Sequence, residues 1–279
     1  MAASVLVGLI GATIQASRSP ALHMREGREH GLDYHYHLID LDRVAAPLPE
    51  LLRAAKLLGF AGLNITHPCK QTVIPLLDAL SPDARAIGAV NTVVFGPDGK
   101  TTGHNTDWYG FHESFRRELA DAPCRRVLQL GAGGAGSAVA HALLTAGVGE
   151  LSIFDTDREK AAGLADDLGR RFGAGRAVTL DDPAAAIARA DGLVNTTPVG
   201  MVGHPGMPVP RDWLRRELWV ADVVYFPLET ELLHAARDVG CRTMSGGTMA
   251  VFQAVGAFRL FTGIEPDAGR MIRHFASME

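Results

Sequence analysis

Arg126-Val-Leu-Gln-Leu-Gly-Ala-Gly-Gly-Ala-Gly136, continued to Leu151-Ser-Ile-Phe-Asp155, is the stretch that decides the fold. Arg126 to Leu130 is a short, mainly apolar run stopped by glycine, and it reads as a buried strand. Gly131, Ala132, Gly133, Gly134, Ala135 and Gly136 then spell Gly-x-Gly-x-x-Gly. A helical pattern runs through Ala140, Leu143 and Leu144 to Gly147, and Leu151 to Phe154 gives a second buried strand closed by Asp155. Strand, glycine turn, helix, strand and terminal acid is the order that binds a dinucleotide. The first glycine permits the tight turn, and the second lets backbone N–H groups approach a pyrophosphate. The third lets the helix pack close, with its positive N-terminal end towards the phosphates. A carboxylate at Asp155 accepts hydrogen bonds from ribose hydroxyls and repels a 2′-phosphate, so the expected cofactor is NAD rather than NADP. Arg158, one helical turn on, either softens that preference or is a solvated charge at a helix start.

Working outward, 279 residues hold one large domain or two of ordinary size. The chain is 47% hydrophobic and 21% charged, an ordinary globular balance. Lys and Arg number 27 against 31 Asp and Glu, a net charge of −4, which argues against nucleic acid as a partner. No apolar run approaches the ~20 residues that span a bilayer, so no membrane partner is expected. The opening Met-Ala-Ala-Ser-Val-Leu-Val-Gly lacks a basic segment and enters a strand directly, so no signal peptide is expected. Cys69, Cys124 and Cys241 are far apart, which fits a reducing cytoplasm and gives no disulfide framework. Among eleven histidines, His35 and His37 alternate on one face of a strand, but no third ligand follows at a recognisable spacing, so no metal is expected.

Upstream, strands and helices alternate. Val5 to Ile10, Tyr34 to Asp40 and Gly62 to Ile65 read as strands. Helices follow from Ser19-Pro20 to about His30, with Ser19 as N-cap, from Pro49 to Leu58, and from Pro68. Ala89 to Phe95 and Lys100 to His104 flank Gly96-Pro-Asp-Gly99 and read as an antiparallel hairpin. Downstream of Asp155, a helix from Arg158 to Phe172, strands near 177–180, 192–195 and 218–224, and tail helices from Thr248 and Pro266 are expected. The fold class is therefore α/β in two domains. Residues 1–105, completed by C-terminal helices within 245–279, form a substrate domain with a mainly parallel sheet. Residues 106–244 form a Rossmann-type, doubly wound NAD-binding domain.

A bound NAD needs a substrate facing its nicotinamide. Polar residues cluster at the strand ends of the first domain: Ser17 and Ser19; Asn64, Thr66 and Lys70; Asn91; Asn105 and Asp107. Open α/β sheets bind ligands beyond the carboxyl ends of their strands, where most of these fall. Singly, each has a structural reading: Ser19 as a helix cap, Asp107 as a helix-start charge, Lys70 as a solvated side chain. Together they suit a small polyol acid.

Ser17-Arg-Ser-Pro20, Asn64-Ile-Thr-His-Pro-Cys-Lys70, Gly88-Ala-Val-Asn-Thr92 and Gly103-His-Asn-Thr-Asp107 resemble the substrate-domain motifs of the shikimate dehydrogenase family. Gly131–Gly136, Asn195-Thr-Thr-Pro-Val-Gly-Met201, Asp222-Val-Val-Tyr-Phe-Pro227 and Gln253 extend the likeness over nearly the whole chain, in order. The resemblance implies oxidation of a ring secondary alcohol to a ketone, with Lys70 and Asp107 as the catalytic pair. It implies a carboxylate held by Ser17, Ser19 and Tyr225, and ring hydroxyls held by Thr66, Lys70, Asn91, Asp107 and Gln253. It also implies cofactor contacts from Thr196, Pro198, Met201, Val224 and Gly246, beside the glycine turn, Asp155 and Arg158.

The family's NADP-using biosynthetic members carry an Asn-Arg-Thr-like segment where this chain has Asp155-Thr-Asp-Arg158. That departure, and His67, resemble the NAD-dependent quinate/shikimate dehydrogenase branch, typically linked to catabolism of these acids. Good quinate users often carry Thr where this chain has Ser19, which favours shikimate over quinate. Aminoshikimate is a further substrate the motifs allow. A non-catalytic NAD-sensing regulator of the same fold would show a degraded catalytic pair or an added binding module; Lys70 and Asp107 are both present. The expected partner is a small-molecule acid, and the expected assembly is a monomer or homodimer.

Overall fold

The computed structural model describes residues 3–278. The chain divides into two compact units, Met1–Thr106 with Val251–Glu279, and Asp107–Ala250. In the first unit the order is β1 (Ser4–Gly11), α1 (Ser19–Glu29), β2 (Asp33–Asp40), α2 (Leu48–Leu57), β3 (Gly62–Ile65), α3 (Cys69–Thr72), β4 (Ala79–Leu80), α4 (Pro82–Ile87), β5 (Thr92–Phe95) and β6 (Thr101–His104). The second unit holds α5 (Asp107–Glu118), β7 (Arg126–Leu130), α6 (Gly134–Thr145), β8 (Glu150–Phe154), α7 (Arg158–Phe172), β9 (Ala177–Thr179), α8 (Pro183–Ile187), β10 (Gly192–Asn195), β11 (Trp219–Asp222), α9 (Glu231–Val239) and β12 (Arg242–Met244). Helix α10 (Gly246–Thr262) begins in the second unit and continues into the first, and α11 (Ala268–Ala276) closes the chain.

The first sheet has the order β2-β1-β3-β5-β6-β4. Strands β2, β1 and β3 run parallel, β5 is antiparallel to β3 and to β6, and β4 is parallel to β6. This reversal matters for function. It brings the start of β5 and the end of β6 to the same end of the sheet as the carboxyl ends of β1 and β3. Val7, Leu9, Tyr34 and Tyr36 pack with Ala257, Phe258 and Phe261 of α10 on one face. Ile10, Leu63, Ile65 and Val93 pack with Leu52 and Ala55 of α2 on the other. The last helix is tied to α1 by a partly buried ion pair, Arg270 donating to both oxygens of Glu26 at 2.8 and 2.6 Å.

The second sheet is wholly parallel in the order β12-β11-β10-β7-β8-β9, the doubly wound Rossmann arrangement. Its chain reverses direction between β7 and β10, the crevice where such folds bind ligands. Apolar residues on both faces account for the continuous hydrophobic runs in its strands: Val127 and Leu151 face one cluster, Leu128 and Leu193 the other.

Three local details differ from expectation. Ser19 is the first residue of α1 rather than its N-cap; Arg18 holds the cap position with no side-chain bond. Ser17 Oγ instead accepts from the Ser19 N–H at 3.3 Å, a local serine turn that competes with the cap. The helix after Pro68 is a single turn followed by a 3-10 turn at Ile74–Leu76. Helix α9 and strand β12 fill a stretch to which the sequence assigned no element, with Thr230 Oγ1 capping α9 by accepting from Leu233 N at 3.3 Å.

Candidate active site

The polar residues singled out in the first unit gather at one end of its sheet. Backbone pairing does most of this. Thr66 N donates to Ile10 O at 2.9 Å, seating the residue after β3 against the end of β1. Ile65 N donates to Asn91 O, and Val90 N to Lys70 O, both at 2.8 Å, which draws the segment before β5 alongside the Thr66–Lys70 loop. Gly11 is required here, because a Cβ on it would meet Thr66 Cγ2 at 2.2 Å.

A buried amide and hydroxyl cluster sits beneath this end. Tyr36 Oη donates to Asn64 Oδ1 at 2.8 Å, and Asn64 Nδ2 donates to Thr92 Oγ1 at 3.0 Å. Thr92 Oγ1 donates to Asn91 Oδ1 at 3.0 Å. That oxygen also accepts from Thr106 N at 2.7 Å, and Asn91 Nδ2 donates to Thr106 Oγ1 at 2.9 Å. Asn105 Nδ2 donates to Ala89 O at 3.0 Å. Buried polar groups persist only when partnered, and a connected cluster of this kind fixes one arrangement. Thr92, Thr106 and Tyr36 were not singled out from the sequence; their roles follow from cross-strand register, with Thr92 paired opposite Asn64.

Ser17, Ser19, Thr66 and Lys70 are half-buried around this end, and Asn91 is buried. Gln253, also half-buried, lies on α10 of the same unit. Asp107, which opens α5, and Tyr225, in the loop after β11, belong to the second unit. His35 and His37 are both exposed on β2. Among the described residues no group of three His, Cys, Asp or Glu is placed to hold a metal.

In the second unit the glycine turn connects β7 to α6. Gly131 has φ +97°, a conformation that suits glycine. A Cβ on Gly136 would lie 2.4 Å from Gly131 O, so the helix start packs directly on the turn. Gly133, by contrast, has nothing within 4 Å of such a Cβ. The turn thus has a closed inner side and an open outer one, and the free N–H groups of the first turn of α6 lie beside the opening. That cradle fits a dinucleotide pyrophosphate.

Three side chains hold it. Asp155 Oδ2 accepts from Ala132 N at 2.7 Å, while its Oδ1 accepts from Asp157 N at 2.8 Å. Thr196 Oγ1 lies 2.7 Å from Leu130 O and 3.0 Å from Gly131 O. Gln129, fully buried within a strand read as apolar, donates from Nε2 to Gly131 O at 2.8 Å and Gly136 O at 3.0 Å. A polar residue in a buried strand just before a glycine turn was the available signal. Arg158 pairs with Asp181 at 3.1 Å, both side chains about three-quarters exposed.

At the ends of β10 and β11, Asn195 and Asp222 face each other in register. Burial pushes the Asp222 carboxyl up to about 6, against hydrogen bonds from Val224, Thr230 and Asn195 that favour its charged form.

The fold and these two polar centres define a class: a two-unit α/β protein whose first unit presents a lysine, amides and hydroxyls and whose second carries a Rossmann dinucleotide cradle. The family follows from comparison with known proteins. Residues 9–93 match the family model for the shikimate dehydrogenase substrate binding domain. The chain is 59% identical over 281 residues to a shikimate dehydrogenase (NADP(+)) of Streptomyces avermitilis, covering 99% of this chain and 96% of the relative. It is 50% identical over 280 residues to a quinate/shikimate dehydrogenase (NAD(+)) of Corynebacterium efficiens, covering 99% of both. A solved quinate dehydrogenase from Corynebacterium glutamicum in complex with NAD superposes with a TM-score of 0.93 at 49% identity, over 98% of this chain and 99% of that one. The chain belongs to the shikimate dehydrogenase family.

Proposed function

We propose that this chain is an NAD-dependent dehydrogenase that oxidises the ring alcohol of shikimate to 3-dehydroshikimate, and quinate to 3-dehydroquinate less readily. The relatives' names divide between NADP(+) and NAD(+), so the cofactor has to be argued from this chain's residues. The observation that carries the choice is Asp155: its carboxylate is anchored to the glycine turn through Ala132, beside the cradle. A fixed negative charge there accepts from ribose hydroxyls and opposes a 2′-phosphate. Arg158 lies in an exposed ion pair with Asp181 and leaves the Asp155 carboxylate in place on the turn.

Ser17 and Ser19, with Tyr225, hold the substrate carboxylate. Thr66, Asn91 and Gln253 orient the ring hydroxyls, and the buried bonds behind Asn91 keep it in one pose. Lys70 takes the proton from the reacting hydroxyl, and Asp107 orients the ammonium it forms. The cofactor, when bound, accepts the hydride. Gly131–Gly136 hold the pyrophosphate, and Thr196, Pro198, Met201, Val224 and Gly246 line the rest of the dinucleotide. A lysine that passes between ammonium and free amine serves as base in one direction and acid in the other.

Replacing Asp155 tests the cofactor assignment. Asp155→Ser should lower kcat/KM for NAD and raise it for NADP, moving the ratio by at least about tenfold, or ~1.4 kcal/mol. An unchanged ratio would remove the basis for assigning NAD.

A further inference from the structure

Two loops on the second unit carry exposed apolar tips: Met201 and Val202 after β10, Tyr225 and Phe226 after β11. They touch through Val202 N donating to Phe226 O at 3.2 Å, and neither tip is itself packed in a core. What fixes them lies beneath. Asp222, 1% exposed, accepts at Oδ1 from Asn195 Nδ2 and from Val224 N, both at 3.0 Å, and at Oδ2 from Thr230 Oγ1 at 2.8 Å. Asn195 in turn donates to Val199 O at 3.0 Å, and its Oδ1 accepts from Thr197 N at 3.1 Å and Thr197 Oγ1 at 2.7 Å. One loop is therefore bound to Asp222 through Asn195. The other is bound at both its start, Val224, and its finish, Thr230.

We propose that Asp222 is a positioning residue of the dehydrogenase reaction, a single buried carboxylate that locks the Thr196–Met201 and Val224–Thr230 loops together and so sets the wall against which the nicotinamide lies. This rests on the dehydrogenase reading above. Asp222 touches neither ligand. It acts through Val224, Tyr225 and Met201. The adenine and pyrophosphate end of the cofactor is met by Gly131–Gly136 and Asp155, and Thr196 braces that turn through its own hydroxyl on Leu130 O and Gly131 O rather than through this carboxylate.

That separation supplies the test. Calorimetric titration of the intact protein with NAD, NADP and ADP-ribose, which lacks the nicotinamide, reads the two ends independently. Asp222→Ala should weaken the preferred dinucleotide by about tenfold, the scale of leaving buried partners unsatisfied. ADP-ribose affinity should stay within about twofold. Asp222→Asn, which keeps the acceptor oxygen for Asn195 and Val224 and can donate to Thr230, should recover most of the loss. Equal weakening of dinucleotide and ADP-ribose, or no weakening of either, would overturn the proposal. Should Asp222→Ala fail to fold, Thr230→Val releases the finish of the second loop together with the cap of α9, leaves Asn195 and Val224 on Asp222, and must show the same imbalance, smaller; equal effects there would also overturn it. If the wild type binds a dinucleotide but oxidises neither shikimate nor quinate, the dehydrogenase reading fails, and the ratio of the two affinities still decides the role of Asp222.

Discussion

The glycine turn after β7 and the amide cluster at the end of β3 are built on opposite principles. The turn presents backbone: its shape depends on side chains being absent at Gly131 and Gly136, and Asp155, Thr196 and Gln129 brace it from behind. The cluster presents side chains: Asn91 is held by Thr92 and Thr106, and Asn64 by Tyr36 and Thr92. A pyrophosphate is common to many ligands and can be met by N–H groups alone. A ring with several hydroxyls needs donors and acceptors at chosen points, which only side chains supply. The glycine turn should therefore break when atoms are added, and the amide cluster when they are taken away.

The largest effect belongs to truncation in the first unit. Lys70→Ala should lower kcat by about two orders of magnitude or more, the range for a lost acid–base group. Steady-state turnover with saturating shikimate measures it, and a near-normal kcat would remove Lys70 from the chemistry. Next, Asn64→Ala removes the buried acceptor of Tyr36 Oη and the buried donor to Thr92 Oγ1. Denaturant unfolding should show a loss of about 2 kcal/mol, within the cost of unsatisfied buried groups. A loss under about 0.5 kcal/mol would mean that the cluster does not define the site.

Addition should break the second unit. Gly136→Val places a Cβ on Gly131 O, backbone against backbone, with no flexible side chain to yield. Dinucleotide affinity should fall at least about tenfold, ~1.4 kcal/mol, by calorimetry. Unchanged affinity would mean that the turn is looser than described.

The smallest effect sharpens the contrast within the first unit. Its cluster is kept neutral, and His23 illustrates the rule nearby. Fully buried beneath Tyr34, whose Oη lies 3.1 Å from its Nδ1, it has its pKa driven by desolvation from 6.5 to about 3. Unfolded chains take up the proton between those values and the folded chain does not. Stability is thus fully present above pH 6.5 and declines as pH falls towards 3. Between pH 7 and 5.5 this one group should cost about 1 kcal/mol, and His23→Phe should remove that slope. Parallel stability curves for the two proteins would contradict it.

The same contrast explains what could be read from the sequence. Helix α7 came out at its expected limits because Asp157 caps it and Ala161, Leu164, Ala165 and Leu168 keep helical spacing. The β7–α6–β8 unit was legible because glycine spacing is itself the structural requirement. Helix α9 was not, although Thr230 and the apolar pairs Leu232-Leu233 and Ala235-Ala236 carried the signal. Three-residue β12 is too short for periodicity to mark. Side-chain clusters hide more thoroughly. Tyr36, Asn64, Thr92 and Thr106 come from β2, β3, β5 and the segment after β6, and only the register of β5 against β3 shows that they meet. Family resemblance pointed to Asn91 and Lys70 and ran through Asp222 only as the first residue of a motif, with no role attached; Gln129 it did not mark, and both residues act from beneath.

Initial rates of the wild-type protein with shikimate, quinate and aminoshikimate, each paired with NAD and with NADP, test the central reading most directly. Shikimate with NAD should be the fastest pair, quinate with NAD slower, and NADP at least about tenfold poorer in kcat/KM with either acid. Faster turnover with NADP would contradict the role given to Asp155, and no turnover of any of the three acids would contradict the dehydrogenase itself.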